Sequence, residues 1–400
     1  MKRRTVGAVD VGSTKICTII ADTDGTELRI LGVGVSPSQG IQKGLVIDID
    51  GARESIRQSI VEAEHTAGYK LKSAYVGITG RHILSVNNKG VVVITRPDQL
   101  IRPADMKRAV EVAKSVKIPN DHEILCVIPR KYVIDGQEGI GNPVGMHGFR
   151  LDVEVHVVSA ASTSVQNLVK SLHRLGVSID DLVFEPMAAA EAVLTEDEKQ
   201  GGVVLADIGG GTTDVAIFSN GSIYHSAILP VGGSQITNDI SVGLDISFEL
   251  AEELKKKYGD ITPREENQEE EIDLGGGQAI SYPELLNIIR MRVEEIIRLI
   301  LLELQDQGAD LVPSGLVITG GTANIPGIVE IAKKITRLPV RIGIPTNLSG
   351  VAEALYDPSF ATSVGLLLWG IRNGGLKISE FKDGSHGFFS RIPQLFGIGR

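Results

Sequence analysis

Two loops in this 400-residue chain combine aspartate, glycine and hydroxyl side chains, the residue types that hold phosphate groups and magnesium. Each loop follows a predicted buried strand and leads into a second predicted strand that is rich in β-branched residues. The second loop repeats the pattern of the first in the other half of the chain. The candidate residues are Asp10, Gly12, Ser13, Thr14 and Lys15 in the first loop, and Asp207, Gly209, Gly210, Gly211, Thr212, Thr213 and Asp214 in the second.

The chemistry that fits this repeat is the binding of a triphosphate with magnesium. Small residues let successive backbone N–H groups surround an anion, and hydroxyl side chains add further donors. Magnesium keeps several of its waters, so Asp10 and Asp207 would hold the ion mainly through its hydration shell. Lys15 would place a positive charge beside the β- and γ-phosphates. Either loop alone could be an ordinary hairpin, but the repeat favours one shared phosphate site.

A third glycine-rich segment follows a predicted strand over residues 316–319 and precedes a predicted helix. Its candidate binding residues are Gly320, Gly321 and Asn324. Two glycines at the end of a strand would let a flat base or a ribose lie against the backbone. The alternative is a plain strand-to-helix turn with Pro326 in the first helical turn.

The elements that must position these loops follow an α/β pattern. No helix begins directly after either aspartate loop, which separates them from P-loops and dinucleotide-binding turns. Residues 81–159 indicate an α+β insert, in which two strands flank a turn at 87–90 and three short strands surround a glycine-rich loop. A second insert is predicted over 240–313, with a solvated acidic run at 265–271. Helices are predicted over residues 52–67, 103–116, 162–175, 247–258, 282–307, 326–337 and 359–371.

Composition excludes several classes of function. The formal charge of −10 argues against nucleic acid as the main partner, because phosphate backbones require a basic surface. Two cysteines, Cys17 and Cys126, are too few for a disulfide framework and lack zinc-ligand spacing, so a reducing compartment fits best. The apolar stretch after the first four residues is too short for a signal peptide, and the stretch 296–304 contains Arg298 and Glu303. We therefore expect synthesis in the cytosol and no membrane span.

The end of the chain has a different character. Residues 373–387 form a predicted polar linker, and residues 388–400 form an amphipathic tail. Segment 373–400 carries a net charge of +2 while the rest of the chain carries −12, which suits the surface of an anionic membrane. Pro393 is compatible with a helix only in its first turn, and the tail could instead pack on the body or on a neighbouring subunit. On a helix, one face would carry Phe388, Phe389, Ile392, Leu395 and Phe396.

Taken together, the motifs resemble those of the actin, Hsp70 and hexokinase superfamily. The first phosphate loop corresponds to residues 10–15, the second to 207–214 and the adenosine loop to 320–327. Segments 184–190 and 360–365 are similar to its two connecting helices. Within the superfamily the chain resembles the FtsA family of bacterial cell-division proteins over nearly all of its length, because of the insert at 81–159, the charged motif at 251–259 and the amphipathic tail.

This resemblance implies an α/β, actin-like, two-lobed ATPase fold with two inserted subdomains. Subdomain 1A would comprise residues 1–80 with 160–198 and 359–372, and the inserted subdomain 1C would comprise 81–159. Subdomain 2A would comprise 199–239 with 314–358, and the inserted subdomain 2B would comprise 240–313. The linker at 373–387 and the tail at 388–400 complete the organisation.

The resemblance also assigns roles to residues. It implies ATP and Mg²⁺ in the cleft between the lobes, with Asp10 and Asp207 organising the metal. Glu185 would orient the attacking water, and the alternative is a helix-terminal carboxylate stabilised by the dipole. Glu252, Lys255 and Lys256 would face the adenine and ribose, unless they form only a solvated charged face. Slow or negligible hydrolysis is compatible with this site.

The function implied is that of an assembly protein. The family resemblance implies ATP-dependent self-association into filaments, tethering of FtsZ filaments to the cytoplasmic face of the cell membrane at the division site, and recruitment of further division proteins through 1C. Subdomain 2B would bind the C-terminal peptide of FtsZ, and the tail would bind membrane lipids. The alternatives are a small-molecule kinase or a pilus-assembly ATPase of the same superfamily.

Overall fold

The computed structural model describes residues 4–24, 28–263, 270–275, 278–307 and 312–373. Most of the acidic run at 265–271 and all of the chain from 374 onward lie outside the described residues. The predicted membrane-binding side chains Phe388, Phe389, Ile392, Leu395 and Phe396 belong to that last segment. Within the described ranges, no helix combines the length and the apolar character that crossing a bilayer requires.

The first lobe is built on a six-stranded sheet with the strand order β11-β6-β1-β2-β3-β19. Strands β1 and β2 pair antiparallel, and β1 pairs parallel with β6 on its other side. The elements up to β6 are β1 (Arg4–Val11), β2 (Lys15–Thr23), β3 (Leu28–Pro37), β4 (Ile41–Gln42), β5 (Leu45–Val46), α1 (Ile49–Ala67) and β6 (Ser73–Ile78).

A separate four-stranded sheet, covered by one helix, interrupts the first lobe. Its elements are β7 (Ile83–Val93), α2 (Pro103–Lys114), β8 (His122–Ile134), β9 (Gln137–Ile140) and β10 (Arg150–Ala161), in the strand order β7-β10-β8-β9. It has its own hydrophobic core, which includes Val110, Leu151 and Val155. The predicted turn at 87–90 is wrong, because these residues lie within the continuous strand β7. Strands β8 and β10 have 13 and 12 residues and are not short.

The chain then returns to the first lobe and passes to the second. The connecting elements are α3 (Ser162–His173), β11 (Ser178–Phe184), α4 (Glu185–Val193) and α5 (Glu196–Gly201). Helix α5 has a capping box between Thr195 and Glu198, which explains its start.

The second lobe repeats the central arrangement of the first. Strands β12 and β13 pair antiparallel, and β12 pairs parallel with β17. The sheet has the order β14-β13-β12-β17-β18. Its elements are β12 (Val203–Ile208), β13 (Thr213–Ser219), β14 (Ser222–Leu229), α6 (Gly233–Gly243), α7 (Phe248–Tyr258), β15 (Glu271–Gly275), β16 (Gln278–Ser281), α8 (Tyr282–Gln307), β17 (Leu316–Thr319), α9 (Ile328–Thr336) and β18 (Val340–Ile342).

The chain ends its described course by returning to the first lobe through β19 (Ser349–Gly350) and α10 (Ala361–Asn373). Helices α4 and α10 join the lobes and cross closely, since a Cβ atom on Gly365 would overlap the backbone of Ala188. Small residues at such a crossing allow the two backbones to approach. Both helices therefore belong to the hydrophobic core of the first lobe.

All seven predicted helices are present, with ends that differ by up to three residues. Helix α8 begins after Ser281, whose hydroxyl accepts a hydrogen bond from the Glu284 backbone N–H at 3.3 Å and so caps the first turn. Helices α5 and α6 were not predicted. The residue limits of the four subdomains stay predictions.

Candidate nucleotide-binding cleft

The two aspartate loops are tight turns with the same internal hydrogen bond. The backbone N–H of Gly12 donates to the carbonyl of Lys15 at 3.1 Å, and that of Gly209 donates to the carbonyl of Thr212 at 2.9 Å. Antiparallel pairing of the flanking strands places Asp10 and Asp207 at equivalent positions, two residues before the glycine whose N–H closes each turn. The sequence repeat is therefore a structural repeat.

The two turns face each other across the boundary between the lobes. A Cβ atom on Gly211 would lie 2.6 Å from Oγ of Ser13, and one on Gly210 would overlap Thr14. Only glycine permits this approach of the second turn to the first. Ser13 in turn accepts a hydrogen bond from the Gly44 backbone N–H at 3.1 Å, which fixes its hydroxyl at the boundary.

Between the lobes lies one cleft of about 810 Å³. This volume is within the range of about 300–1,000 Å³ that ligand pockets usually have. All predicted nucleotide-binding residues except Thr213 line it. They are Asp10, Gly12, Ser13, Thr14, Lys15, Asp207, Gly209, Gly210, Gly211, Thr212, Asp214, Glu252, Lys255, Lys256, Gly320, Gly321 and Asn324, together with Glu185.

Thr213 has a structural position. Its side chain is fully buried, and its hydroxyl donates to the backbone carbonyl of Val231 at 2.8 Å. Alternation along β13 turns Thr213 and Asp214 to opposite faces of the sheet, so only Asp214 points into the cleft. The side chain of Thr213, which was predicted to bind nucleotide, therefore does not reach the cleft.

The two aspartates that start the turns are held by one helix. Ser363 Oγ donates to Asp10 Oδ2 at 2.6 Å, and Thr362 Oγ1 donates to Asp207 Oδ2 at 2.8 Å. Both donors lie in the first turn of α10, which follows the short 3₁₀ turn Pro358–Phe360. Consecutive side chains of one helix thus fix one carboxylate from each lobe. The family resemblance indicates only a connecting helix in this segment, and neither hydroxyl was predicted.

Four carboxyl groups share the inner end of the cleft. Burial raises the pKa of Asp10, although the hydrogen bond from Ser363 lowers it in part. Burial also raises the pKa of Asp207, to about 6, although the hydrogen bond from Thr362 opposes the shift. Burial and then the charge of Asp207 raise the pKa of Asp214 to about 8. Burial and then the charge of Asp10 raise the pKa of Glu185 well above its usual value. A negative charge on one of these carboxyl groups therefore disfavours ionisation of the others.

A divalent cation would relieve this repulsion. Hard carboxylate oxygens with hydroxyls beside them are the donor set that magnesium prefers, and the ion keeps several waters. Among the described residues, no three His, Cys, Asp or Glu side chains stand close enough to ligate one ion directly. The residues present fit a hydrated magnesium ion between Asp10 and Asp207.

Glu185 is the first residue of α4, and Pro186 follows it. Its side chain is 8% exposed and forms part of the cleft wall. Stabilisation by the helix dipole, the alternative role, would lower the pKa of the carboxyl. Burial, and then the charges of Asp10, Asp214 and Asp207, raise the pKa of Glu185 instead.

Lys15 is the positively charged residue of the first loop. Its Nζ donates to Ser359 Oγ at 2.8 Å and lies 3.4 Å from the centre of the Phe360 ring. Burial lowers the pKa of Lys15, and the charge of Asp10 partly offsets this effect. The ammonium group is thus positioned on the cleft wall by contacts with residues just before α10.

The outer end of the cleft carries a second cluster of polar side chains, on α7. Lys255 Nζ donates to Glu252 Oε2 at 2.6 Å, to Thr237 Oγ1 at 2.7 Å and to the carbonyl of Gly233 at 3.2 Å. Lys256 is exposed and pairs with Glu252 Oε1 at 3.1 Å. Burial alone would raise the pKa of Glu252, but the bonds from Lys255 and Thr237 keep it low. These residues therefore form a fixed network and not only a solvated face.

The third glycine-rich segment lies beside Asp207 and forms another part of the cleft wall. Gly320 has φ of 85°, and a Cβ atom there would overlap the Asp207 carboxylate, so a larger residue is excluded. Residues Gly321–Asn324 form a 3₁₀ turn. The side-chain amide of Asn324 donates to both carboxylate oxygens of Asp357 at 3.1 Å, so Asn324 positions the loop as well as lining the cleft.

Several cleft residues were not predicted. The beginning of α6 lies beside the second turn, where the backbone N–H groups of Gly233 and Ser234 donate to the carbonyls of Gly209 and Gly210 at 2.9 and 2.8 Å. The Gly-Gly-Ser sequence after β14 was the sequence feature that could have indicated another backbone segment beside the phosphate turns. The cleft is also lined by Ser38, Gly44, Thr79, Phe248, Thr322, Ile325, Pro326, Ser359 and Thr362.

Comparison with solved structures defines the class of protein. The fold matches that of the PilM–PilN type IV pilus biogenesis complex with a TM-score of 0.69 at 16% identity, covering 92% of this chain and 98% of that one. It matches MreB5 of Spiroplasma citri bound to ADP with a TM-score of 0.53 at 16% identity, covering 92% and 96%. With two lobes, an interlobe cleft and one inserted domain, the chain has the actin-like ATPase fold.

Comparison with curated proteins is more specific. The chain is 39% identical to the cell division protein FtsA of Pseudomonas aeruginosa, over 96% of this chain and 93% of that protein. It is 40% identical to FtsA of Neisseria meningitidis over 92% and 90%, and 37% identical to FtsA of Bacillus subtilis over 92% and 84%. Residues 204–365 match the model for cell division protein FtsA, and 80–159 match the SHS2 domain inserted in FtsA. The chain belongs to the FtsA family of cell-division proteins.

Proposed function

We propose that this protein binds ATP with Mg²⁺ in the cleft between its lobes. The observation that carries this proposal is the pair of equivalent turns, one from each lobe, which contribute Asp10 and Asp207 to one cleft. The glycine-rich backbones of both turns would hold the phosphates, with Lys15 beside them. The network around Glu252 and Lys255 would contact the nucleoside.

Magnesium would supply charge neutralisation for the phosphates, held by Asp10 and Asp207 through its waters. Glu185 would orient a water molecule towards the phosphates. Because α10 fixes both aspartates, the bound nucleotide would hold the two lobes in one relative position. We expect nucleotide binding mainly to regulate assembly, with turnover slow at most.

Asp207→Asn tests the site. The amide can still accept the hydrogen bond from Thr362, so the fold should persist, but the charge that faces magnesium is lost. A charge-assisted contact contributes about 1.5–3 kcal/mol, which corresponds to about a ten- to hundredfold loss of ATP affinity in the presence of Mg²⁺. Isothermal titration calorimetry with and without Mg²⁺ measures this loss.

A matched control is Asp197→Asn, which removes the same charge from the exposed first turn of α5, away from the cleft. It should bind ATP as the wild type does. Unchanged Mg–ATP affinity in Asp207→Asn would contradict the proposed site, because that site requires the charge of Asp207 to face magnesium.

We further propose that ATP favours assembly of this protein into filaments at the cytoplasmic face of the cell membrane, at the division site. There it would tether FtsZ filaments, with 2B binding the C-terminal peptide of FtsZ and 1C recruiting further division proteins. Membership of the FtsA family supports this role. The tail at 388–400 would bind lipid weakly in a monomer and firmly in a filament, because many tails then act together.

Co-sedimentation with anionic vesicles tests the membrane role. The full chain with ATP should pellet with the vesicles, and a chain truncated after residue 387 should stay in the supernatant while it still binds ATP. A second control replaces Phe389 and Phe396 by serine and leaves the charge of the tail unchanged. Retained vesicle binding by the truncated chain would refute the assignment of the tail.

A further inference from the structure

His82 is a half-buried histidine that the proposed function does not use. It lies in the short segment between β6 and β7, where the chain leaves the first lobe for the inserted domain. Both ring nitrogens are buried, and neither has a hydrogen-bond partner within the part of the chain that the structure describes. Burial, and then the nearby His122, lowers the pKa of His82 to about 4, so the ring is neutral at physiological pH. A neutral imidazole offers one donor and one acceptor.

A small chamber lies beside this ring and shares part of its wall with the nucleotide cleft. Its volume is about 10 Å³, close to the smallest space that holds one water molecule. Apolar side chains, including Ile41, Val46 and Leu168, form much of its wall. The polar side chains on it are those of His82, Thr79, Ser164 and Glu185.

Glu185 is the only one of these residues that the proposed function uses to orient water. It lines both the small chamber and the cleft, as do Val11, Gly44 and Thr79. Its Oε1 lies close to β6, because a Cβ atom on Gly77 would be 2.8 Å from it. The glycine thus gives the carboxyl group room at the wall that the cleft and the chamber share.

Buried polar groups without a partner are rare in folded proteins, and an ordered water commonly satisfies them. Here two such nitrogens and a carboxyl group border a space of the size of one water. We propose that His82 and Glu185 together bind one water molecule in this chamber, and that His82 thereby positions the Glu185 carboxyl group for its role in the cleft. The positioning role rests on the proposed function; the water site does not.

The test uses the full chain and two substitutions at one position. His82→Phe keeps a ring of similar size in a largely apolar wall but removes both nitrogens, so the protein should fold and its melting temperature should not fall. His82→Gln restores one donor and one acceptor. The matched control is His65→Phe, on the exposed face of α1.

Crystals of the wild type with ATP, at a resolution that shows ordered water, should contain a water within hydrogen-bond distance of His82 and Glu185. The His82→Phe crystals should lack it. In ATP hydrolysis assays, His82→Phe should lower kcat about tenfold or more with KM within twofold, because a misplaced catalytic group slows the reaction without weakening binding. His82→Gln should recover part of this loss, and His65→Phe should match the wild type.

A wild-type crystal without water in the chamber would overturn the inference, whatever the kinetics. A bound water together with normal turnover in His82→Phe would overturn the positioning role. If the wild type bound no ATP, the proposed function would fail, and the crystal would still decide whether the water site exists.

Discussion

The inserted domain docks on the second lobe through a buried histidine, and this contact should make stability depend on pH. His156 on β10 has no exposed surface. Its Nδ1 lies 2.7 Å from Asn87 Oδ1, and its Nε2 lies 2.8 Å from Ser226 Oγ on β14. The Asn87 amide nitrogen donates to the carbonyl of Tyr224 at 3.3 Å, which turns Oδ1 towards the ring. Nδ1 therefore donates, Nε2 accepts from Ser226, and the neutral ring is fully satisfied.

The surroundings oppose a positive charge on this ring. Burial lowers the pKa of His156 to about 3, and His225 and Arg130 add to the effect. In the unfolded chain the pKa is about 6.5, so between these values the unfolded state binds a proton that the folded state does not. Stability is therefore lost as the pH falls below about 6.5, by up to about 1.4 kcal/mol per pH unit. At pH 5 the loss from this one residue is about 2 kcal/mol.

His156→Gln measures this contribution. Glutamine offers one donor and one acceptor but does not titrate. Between pH 7.5 and pH 5, the free energy of unfolding of the variant should therefore fall by about 2 kcal/mol less than that of the wild type. Urea unfolding at both pH values, followed by a probe in the inserted domain, gives the comparison. Ser226→Ala is the control, because it weakens the same contact but keeps the histidine, so its curve should shift without a change in pH dependence. Equal pH dependence in His156→Gln and the wild type would refute the reasoning.

Two further substitutions separate structural from binding roles at the cleft. Thr213→Val should destabilise the fold by about 1–3 kcal/mol, because the Val231 carbonyl loses its buried donor, and calorimetry should give ATP affinity within twofold of the wild type. A larger loss of affinity in well-folded protein would return Thr213 to the binding site. Gly211→Val should push the two turns apart and weaken ATP binding at least tenfold, while Gly141→Val, where a Cβ atom meets open space, should bind normally. Equal affinities of the two glycine variants would contradict the facing arrangement of the turns.

The parts of the site that could be predicted are those encoded locally. Each aspartate turn is complete within a few residues, and the hydrogen bond that closes it joins residues three apart, as Gly12 and Lys15 show. The helices with strong end signals were equally accessible, since the capping hydroxyl of Ser281 acts on its own turn. The facing of the two turns was expected from the repeat, which favours one shared phosphate site, and from the resemblance to a two-lobed family.

The incorrect turn at 87–90 shows why local signals can mislead. Asn87, Asn88 and Gly90 are common in turns, yet each has a tertiary role within β7. Asn88 donates to the carbonyl of Ala113 at 2.7 Å on α2, and Asn87 contacts the second lobe. A Cβ atom on Gly90 would lie 2.5 Å from the backbone nitrogen of Ala113, so the glycine lets the helix approach the sheet. The same residue types therefore served packing and not reversal of the chain.

Helix α6 was missed for a related reason. Its sequence is rich in glycine, serine, threonine and asparagine, which have low helix propensity. Its first backbone N–H groups are satisfied by the carbonyls of Gly209 and Gly210, which belong to the second phosphate turn. A helix end that is capped by another loop has no signal in its own segment. The contact that stabilises α6 is also the contact that fixes it beside the cleft.

The hydrogen bonds from Thr362 and Ser363 to the two aspartates could not be predicted from the sequence. Thr362 and Asp207 are 155 residues apart, and Ser363 and Asp10 are 353 apart. Nothing in either segment indicates the pairing, because hydroxyl residues in the first turn of a helix are common for capping alone. Yet neighbouring hydroxyls on one helix hold a carboxylate from each lobe, so the geometry of the proposed magnesium site depends on the position of α10. The residues that define the chemistry are therefore local, whereas the residues that set their separation are not.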